Sequence, residues 1–312
     1  MRAALELGVI PLVAQGHRNA EAVAAASGCS ARGMAVLLGA LCQLGLLEAG
    51  PDGYALSETS RAFLTPEAAP GYADALLATD VRAFDGLTDA IHTGRPTSDV
   101  VAQRTAAIWA GAARADLVGW QETVAAVRER WAALGITAAS MPGPRIVDVG
   151  CGAALATLAL ALEDPTASVT CLDRAEVVEV AKEAAAAMGV AHQARFVAGS
   201  VTDPASLEGL FDLAYFGDVL HFLDPATIED VLRATRGHLT SRGRVVLHEV
   251  LRSPGDHSEP APYLAAVWLL CTAPNGRIYT FDEFASLLQG AGFAAPERLG
   301  ETGWVQARMG DS

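Results

Sequence analysis

The chain has 312 residues, 51% of them hydrophobic, and a formal net charge of −14. That length suits two domains of ordinary size, and so large an apolar share excludes a disordered chain. The acidic balance, with no basic cluster along the sequence, argues against nucleic-acid partners, and apolar runs of about ten residues fall short of the roughly twenty that cross a bilayer.

The first residues, Met-Arg-Ala-Ala-Leu-Glu-Leu-Gly, place an acid where a signal peptide would be apolar, so the chain is expected to stay in the cytoplasm. Five widely spaced cysteines, Cys29, Cys42, Cys151, Cys171 and Cys271, read as reduced core residues and not as a disulfide frame or a zinc site. Ala20 to Ala26 and Ala31 to Leu44 read as helices about a Ser-Gly-Cys-Ser turn, with Ser30 as N-cap. Leu46 to Glu48 and Tyr54 to Leu56 then flank Gly50-Pro51-Asp52-Gly53 as a small hairpin. Helix, turn, helix and wing could bind DNA. A reading helix needs Arg, Lys, Asn or Gln on its outer face, however, whereas this one offers only Arg32 and Gln43 among Met34, Val36, Leu37, Leu38, Leu41 and Leu44. Residues 66 to 102 read as short helices. An apolar stripe at Trp109, Leu117, Trp120, Val124, Val127, Trp131 and Leu134 has helical spacing and predicts one long helix or two stacked ones. That stripe is a core and dimer seam, or else Trp109 or Trp120 reaches an acceptor pocket. Arg128 and Arg130 fall on the solvated face.

Ser140-Met141-Pro142-Gly143-Pro144 stops any helix and divides the chain into 1–142 and 143–312. Strand-like runs then recur at Ile146 to Val149, Val169 to Leu172, Arg195 to Val197, Leu213 to Phe216 and Arg244 to Val250, with helical runs between them. Strict alternation predicts a doubly wound α/β sheet with ligands at the carboxyl ends of its strands. Pro296 to Leu299 and Trp304 to Met309 would add a terminal antiparallel hairpin. The first strand ends in Asp148-Val149-Gly150-Cys151-Gly152, where glycines let a ligand approach and a helix N-terminus follows. A dinucleotide fingerprint would require glycine at 155, which is Leu155. An acid at 148 repels pyrophosphate but can meet the cationic end of S-adenosylmethionine through water. Asp173, ending the next strand, can hold ribose hydroxyls.

From about residue 3 to residue 309 the chain resembles the two-domain, S-adenosylmethionine-dependent small-molecule O-methyltransferases of bacterial secondary and plant phenolic metabolism. The resemblance is strongest in Val147 to Gly152, Val219-Leu220-His221 and Gly243 to Glu249. It implies a Rossmann-like class I methyltransferase sheet preceded by an all-helical winged-helix domain through which two chains dimerise. The implied cofactor is S-adenosylmethionine, leaving as S-adenosylhomocysteine. Its contacts would be Asp148, Gly150, Gly152, Asp173, Arg174, Gly199, Ser200, Val201, Gly217 and Asp218. His221 would be the general base and Glu249 the carboxylate behind it, for a small, mostly apolar, aromatic or polyketide-like acceptor. Tyr263 and Trp268 would line the acceptor helix, although Trp268 could equally be core. No metal, nucleic acid or membrane is expected.

Alternation along Arg244 to Val250 lets only one of His248 and Glu249 face His221; the family pattern selects Glu249 and leaves His248 against a helix. A His221/His248 metal pair lacks an obvious third ligand. Three positions depart from the family. Its second supporting glutamate would fall at Ile278, its adenine-binding acid is Ser200 with Asp203 nearby, and its lysine four residues before the histidine is Gly217. The lost glutamate leaves open C- or N-methylation or a non-methylating reaction on the same scaffold, and His221 contacting only backbone or cofactor.

Overall fold

The computed structural model describes residues 1–96, 105–204, 207–253, 255, 258–299 and 303–310. Its contacts divide the chain into two compact units, Met1–Arg82 with Ala107–Val118, and Ala83–Ala106 with Gly119–Ser312.

In the first unit, helix Ala20–Ser27 starts where the Asn19 side chain accepts from Ala22 N, and helix Ala31–Gln43 where the Ser30 hydroxyl accepts from Gly33 N. Each such cap is worth about 1 kcal/mol. Strands β1 (Leu47–Gly50) and β2 (Gly53–Leu56) pair antiparallel as the wing. Met34, Leu38 and Leu41 turn one helical face into a core shared with Ile10, Val23 and Leu56. Full burial of each side chain stabilises by about 1.5–3 kcal/mol. The opposite face of the same helix leaves Val36 71% exposed, and Leu44, just past its end, is 64% exposed. No single described helix is long and apolar enough to cross a membrane.

The predicted stripe is two helices, Thr105–Ala115, in the first unit from Ala107 on, and Trp120–Ala133 in the second. Gly119, at φ 69°, breaks the run immediately before Trp120. The prolines at 142 and 144 mark the covalent approach to the sheet, but the packing division falls earlier, because residues 119–142 pack with the sheet. Trp131 shows why: it is fully buried, its indole N–H donates to Ala156 O at 2.7 Å, and its ring meets Tyr215 and Trp304 edge-on. Arg128 is exposed as expected and pairs with Glu163.

The second unit is built on seven strands: β3 (Arg145–Val149), β4 (Ser168–Asp173), β5 (Ala194–Ala198), β6 (Phe211–Gly217), β7 (Leu239–His248), β8 (Phe293–Leu299) and β9 (Trp304–Met309). Their order is β5-β4-β3-β6-β7-β9-β8. Strands β3 to β7 run parallel, while β9 pairs antiparallel with both β7 and β8. Val147, Leu172, Ala214, Val245 and Leu247 lie wholly buried in its core, as the apolar runs require of a sheet covered on both faces. Helix Pro225–Arg236 begins with the Asp224 carboxylate accepting from Thr227 N and proline at its first position. The chain moves from β3 outward through β4 and β5, then returns to the other side of β3 as β6. The β3/β6 junction is therefore the topological switch point at which such sheets bind ligands.

Candidate active site

Register aligns the carboxyl ends of the central strands: Val149 lies beside Leu172, Asp148 beside Tyr215, and Gly217 beside His248. The residues just past those partners, Gly150, Asp173, Asp218 and Glu249, consequently share one edge of the sheet.

The β3 turn is shaped by its neighbours. Gly150 has φ 76°, and a Cβ there would lie 2.6 Å from Val219 Cγ2, so only glycine fits between β3 and the loop after β6. Gly152 has φ 54°, yet a Cβ there would meet no protein atom within 4 Å. Its open side is the kind of surface that a ligand can approach closely. The Asp173 carboxylate accepts from Gly152 N at 3.0 Å and Arg174 N at 2.7 Å, tying the tip of β4 to the glycine turn. Burial pushes the Asp173 carboxyl above its ordinary range, against the lowering effect of those two N–H groups and of the Arg174 charge.

Asp148 is 1% exposed. One oxygen accepts from the Thr157 hydroxyl at 2.6 Å, while Oδ1 is buried without a protein partner. Burial, opposed by the Thr157 hydrogen bond and reinforced by the Asp173 charge, pushes its pKa up to about 8. Thr157, the one polar residue before the terminal Glu163 in helix Leu155–Glu163, is not among the expected site residues; its isolation among alanines and leucines is the available signal.

Past β6, Asp218 takes φ 50° and donates its N–H to His248 O, turning the chain into the short 3-10 turn Leu220–Phe222. That turn brings His221 Nδ1 to 2.7 Å from Glu249 Oε2. A carboxylate can only accept, so the proton lies on Nδ1 and leaves Nε2 with the lone pair. Glu249 is 2% exposed, and its other oxygen accepts from Val219 N at 3.0 Å and Leu220 N at 2.7 Å. The carboxylate thus holds both the imidazole and the backbone that carries it. Burial lowers the affinity of His221 for a proton. The hydrogen bond and charge of Glu249, with the charge of Asp218, outweigh that effect and raise its pKa above 6.5. Burial and the Glu249 charge raise the Asp218 carboxyl.

Asp218, His221 and Glu249 converge closely enough to be compatible with a metal ion. Both Glu249 oxygens are already committed to hydrogen bonds, and the cluster reads as an oriented imidazole. His248, expected against a helix, stacks instead on Trp304 of β9, with ring centroids 4.6 Å apart. The departure at 278 also has a structural outcome. Ile278 is buried among Leu269, Ala273 and Trp268, and the neighbouring Arg277 N–H donates to His221 O, so that segment supports the turn with backbone.

Arg174, Gly199, Ser200, Val201 and Gly217 end or follow the parallel strands at that edge. Arg174 caps helix Ala175–Ala187, and Gly199 N donates to Asp173 O. Ser200 and Thr202 hydroxyls bond each other, Val201 packs on the core, and Gly217 lies against the Tyr215 ring. Trp268, on helix Ala261–Thr272, meets Phe222 edge-on at 5.9 Å, and Phe222 meets His221 at 4.3 Å, an aromatic relay that the sequence reading had missed. Tyr263 on that helix is 37% exposed. Trp120 is half-buried at the start of its helix, and Trp109 is half-buried within the first unit.

Fold and site together define a class I methyltransferase sheet. Residues 127–294 match the O-methyltransferase domain, and residues 1–66 match the O-methyltransferase dimerisation domain. The mouse (Mus musculus) acetylserotonin O-methyltransferase is 31% identical, over 92% of this chain and 78% of its own. The 3-hydroxy-5-methyl-1-naphthoate 3-O-methyltransferase of Streptomyces sahachiroi is 26% identical, over 98% of this chain and 91% of its own. The crystal structure of human N-acetylserotonin methyltransferase in complex with S-adenosylmethionine superposes with a TM-score of 0.73, covering 99% of this chain and 93% of that one at 23% identity, a likeness of fold. The chain belongs to the O-methyltransferase family and is an S-adenosylmethionine-dependent methyltransferase.

Proposed function

We propose that the enzyme methylates a hydroxyl of a small aromatic or polyketide-like metabolite, with His221 as general base and Glu249 as its orienting carboxylate. The observation that carries this reading is the 2.7 Å contact between His221 Nδ1 and a Glu249 side chain locked by two backbone N–H groups. Bound S-adenosylmethionine supplies an electrophilic methyl group on a sulfonium. The residues fit it: Gly152 leaves room for close approach, and the unpartnered Asp148 Oδ1 suits a cationic group reached through water. Asp148, Gly150 and Gly152 would hold the methionine end, and Asp173 would take the ribose hydroxyls. Arg174, Gly199, Ser200 and Val201 border the base. Gly217 and Asp218 would complete the cofactor contacts. As the acceptor oxygen takes the methyl group, with the sulfonium S–C bond breaking to leave the thioether S-adenosylhomocysteine, the acceptor's proton passes to His221 Nε2 and Glu249 stabilises the resulting imidazolium. Such a base contributes typically 10² to 10⁴ in rate. Trp268 and Tyr263 line the acceptor side, with Trp109 and Trp120 as further candidates. The relatives act on a naphthoate and on acetylserotonin, which supports a flat, hydroxylated acceptor. The dimerisation module supports a homodimer through the exposed Val36 and Leu44 face.

Two substitutions test this reading. Asp173→Ala is expected to abolish cofactor binding in calorimetry. His221→Ala is expected to keep binding while losing roughly 10²-fold or more in methyl transfer to hydroxynaphthoates. Near-normal turnover in the second variant would refute the base role.

A further inference from the structure

At the opposite edge of the sheet, a cavity of about 450 Å³ is lined by Arg242, Arg244 and Arg308, with Ser241, Met141 and Met309 among its walls. Pairing across β7 and β9 creates it. Arg244 stands directly opposite Arg308 in the antiparallel register, and like charges so placed destabilise a sheet. No acid pairs with Arg242, Arg244 or Arg308 among the described residues, and Arg244 Nε is buried without any hydrogen-bond partner. One acid, Asp212, also lines the cavity, but its carboxylate does not relieve them. It accepts instead from Arg145 N, Nε and Nη2 and from the Thr240 hydroxyl. In a chain with 36 acids against 22 basic residues, three guanidiniums without acid partners around one concavity form a local positive field. An isolated buried guanidinium N–H carries a desolvation cost that an anion would remove.

We propose that this cavity binds a phosphoryl group through Arg242, Arg244 and Arg308. Guanidinium forks match tetrahedral, multiply charged oxyanions bidentately, and three of them exceed what one carboxylate can accept. The volume falls within the range of small-molecule sites, and the thioether and proline walls leave room for an organic portion beside the charged head. Glu249, just past the end of β7, lies five residue steps beyond Arg244, which puts the site roughly 16 Å from the candidate catalytic edge at a strand rise of about 3.3 Å per residue. Occupancy therefore leaves the cofactor crevice free.

The test is calorimetric titration of the full-length protein at constant ionic strength with inorganic phosphate, pyrophosphate and glycerol 3-phosphate. Saturable binding by at least one is expected, weakened about ten-fold or more in Arg308→Gln and in Arg242→Gln, with cofactor affinity unchanged. Preference for the inorganic anions would identify a free oxyanion site, and preference for the ester a metabolite site. Arg242 and Arg308 are both exposed, so their variants should fold even if an Arg244 variant does not. Absence of binding by all three probes, or equal binding in both variants, would overturn the proposal.

Discussion

His221 and Asp148 are both buried titratable groups, and their environments push them to opposite uses. His221 is surrounded by carboxylates that favour its cation, so it is well made to receive a proton and to be stabilised once it has it. Asp148 is buried with the Thr157 hydroxyl donating to one of its oxygens, and burial pushes its pKa up to about 8. The stability consequence has a definite sign. The folded pKa lies above the ordinary 3.8, so the favourable contribution is complete below that value and is lost as pH rises towards about 8. Asparagine resembles the protonated acid and does not titrate. Thermal unfolding of the cofactor-free protein between about pH 5 and about pH 8 should therefore show the wild type losing stability relative to Asp148→Asn. Parallel curves would show that Asp148 is ionised throughout.

The strand–turn–helix at β3 was legible in sequence because its chemistry is local: an apolar run, an acid, two glycines and an apolar helix within a few residues. The pairing of His221 with Glu249 was legible for a different reason. Strand alternation admitted only one of two neighbouring residues, and the resemblance chose between them. What escaped was whatever depended on contacts between distant segments. The Thr157 bond to Asp148, the Phe222 bridge from His221 to Trp268, the stacking of His248 on Trp304 and the Arg244–Arg308 opposition all arise from pairings that no short window contains. The two turn glycines separate structural from ligand-related demands. Gly150→Ala drives a methyl into Val219 at a left-handed φ, and should destabilise by about 2–4 kcal/mol. Gly152→Ala meets no protein atom and should cost only the left-handed conformation, about 1–2 kcal/mol, while cofactor affinity falls at least ten-fold. Thermal melts with calorimetry distinguish them, and similar behaviour of the two variants would contradict this division.

Two compact units carry two tasks: the helical one presents an apolar face, and the sheet carries both the glycine turn and the imidazole. The winged-helix arrangement is present, but its second helix exposes Val36 where a DNA reader would present polar side chains. Association through that face should bury Val36 and Leu44, and charges introduced there would have to be desolvated. Val36→Glu with Leu44→Glu is expected to convert a dimer to a monomer by light scattering, with the melting temperature of the sheet unit retained. A dimer that persists in this double variant would move the interface elsewhere.

The pH dependence of methyl transfer in Glu249→Gln tests most directly whether Glu249 sets the charge and orientation of His221 for proton removal. Turnover by a neutral imidazole rises with pH through its pKa, which the Glu249 charge and hydrogen bond raise. With glutamine in place, the same burial lowers that pKa, so the ascending limb should move to lower pH and the plateau should fall. A profile that keeps both its midpoint and its plateau would mean that His221 is not the base.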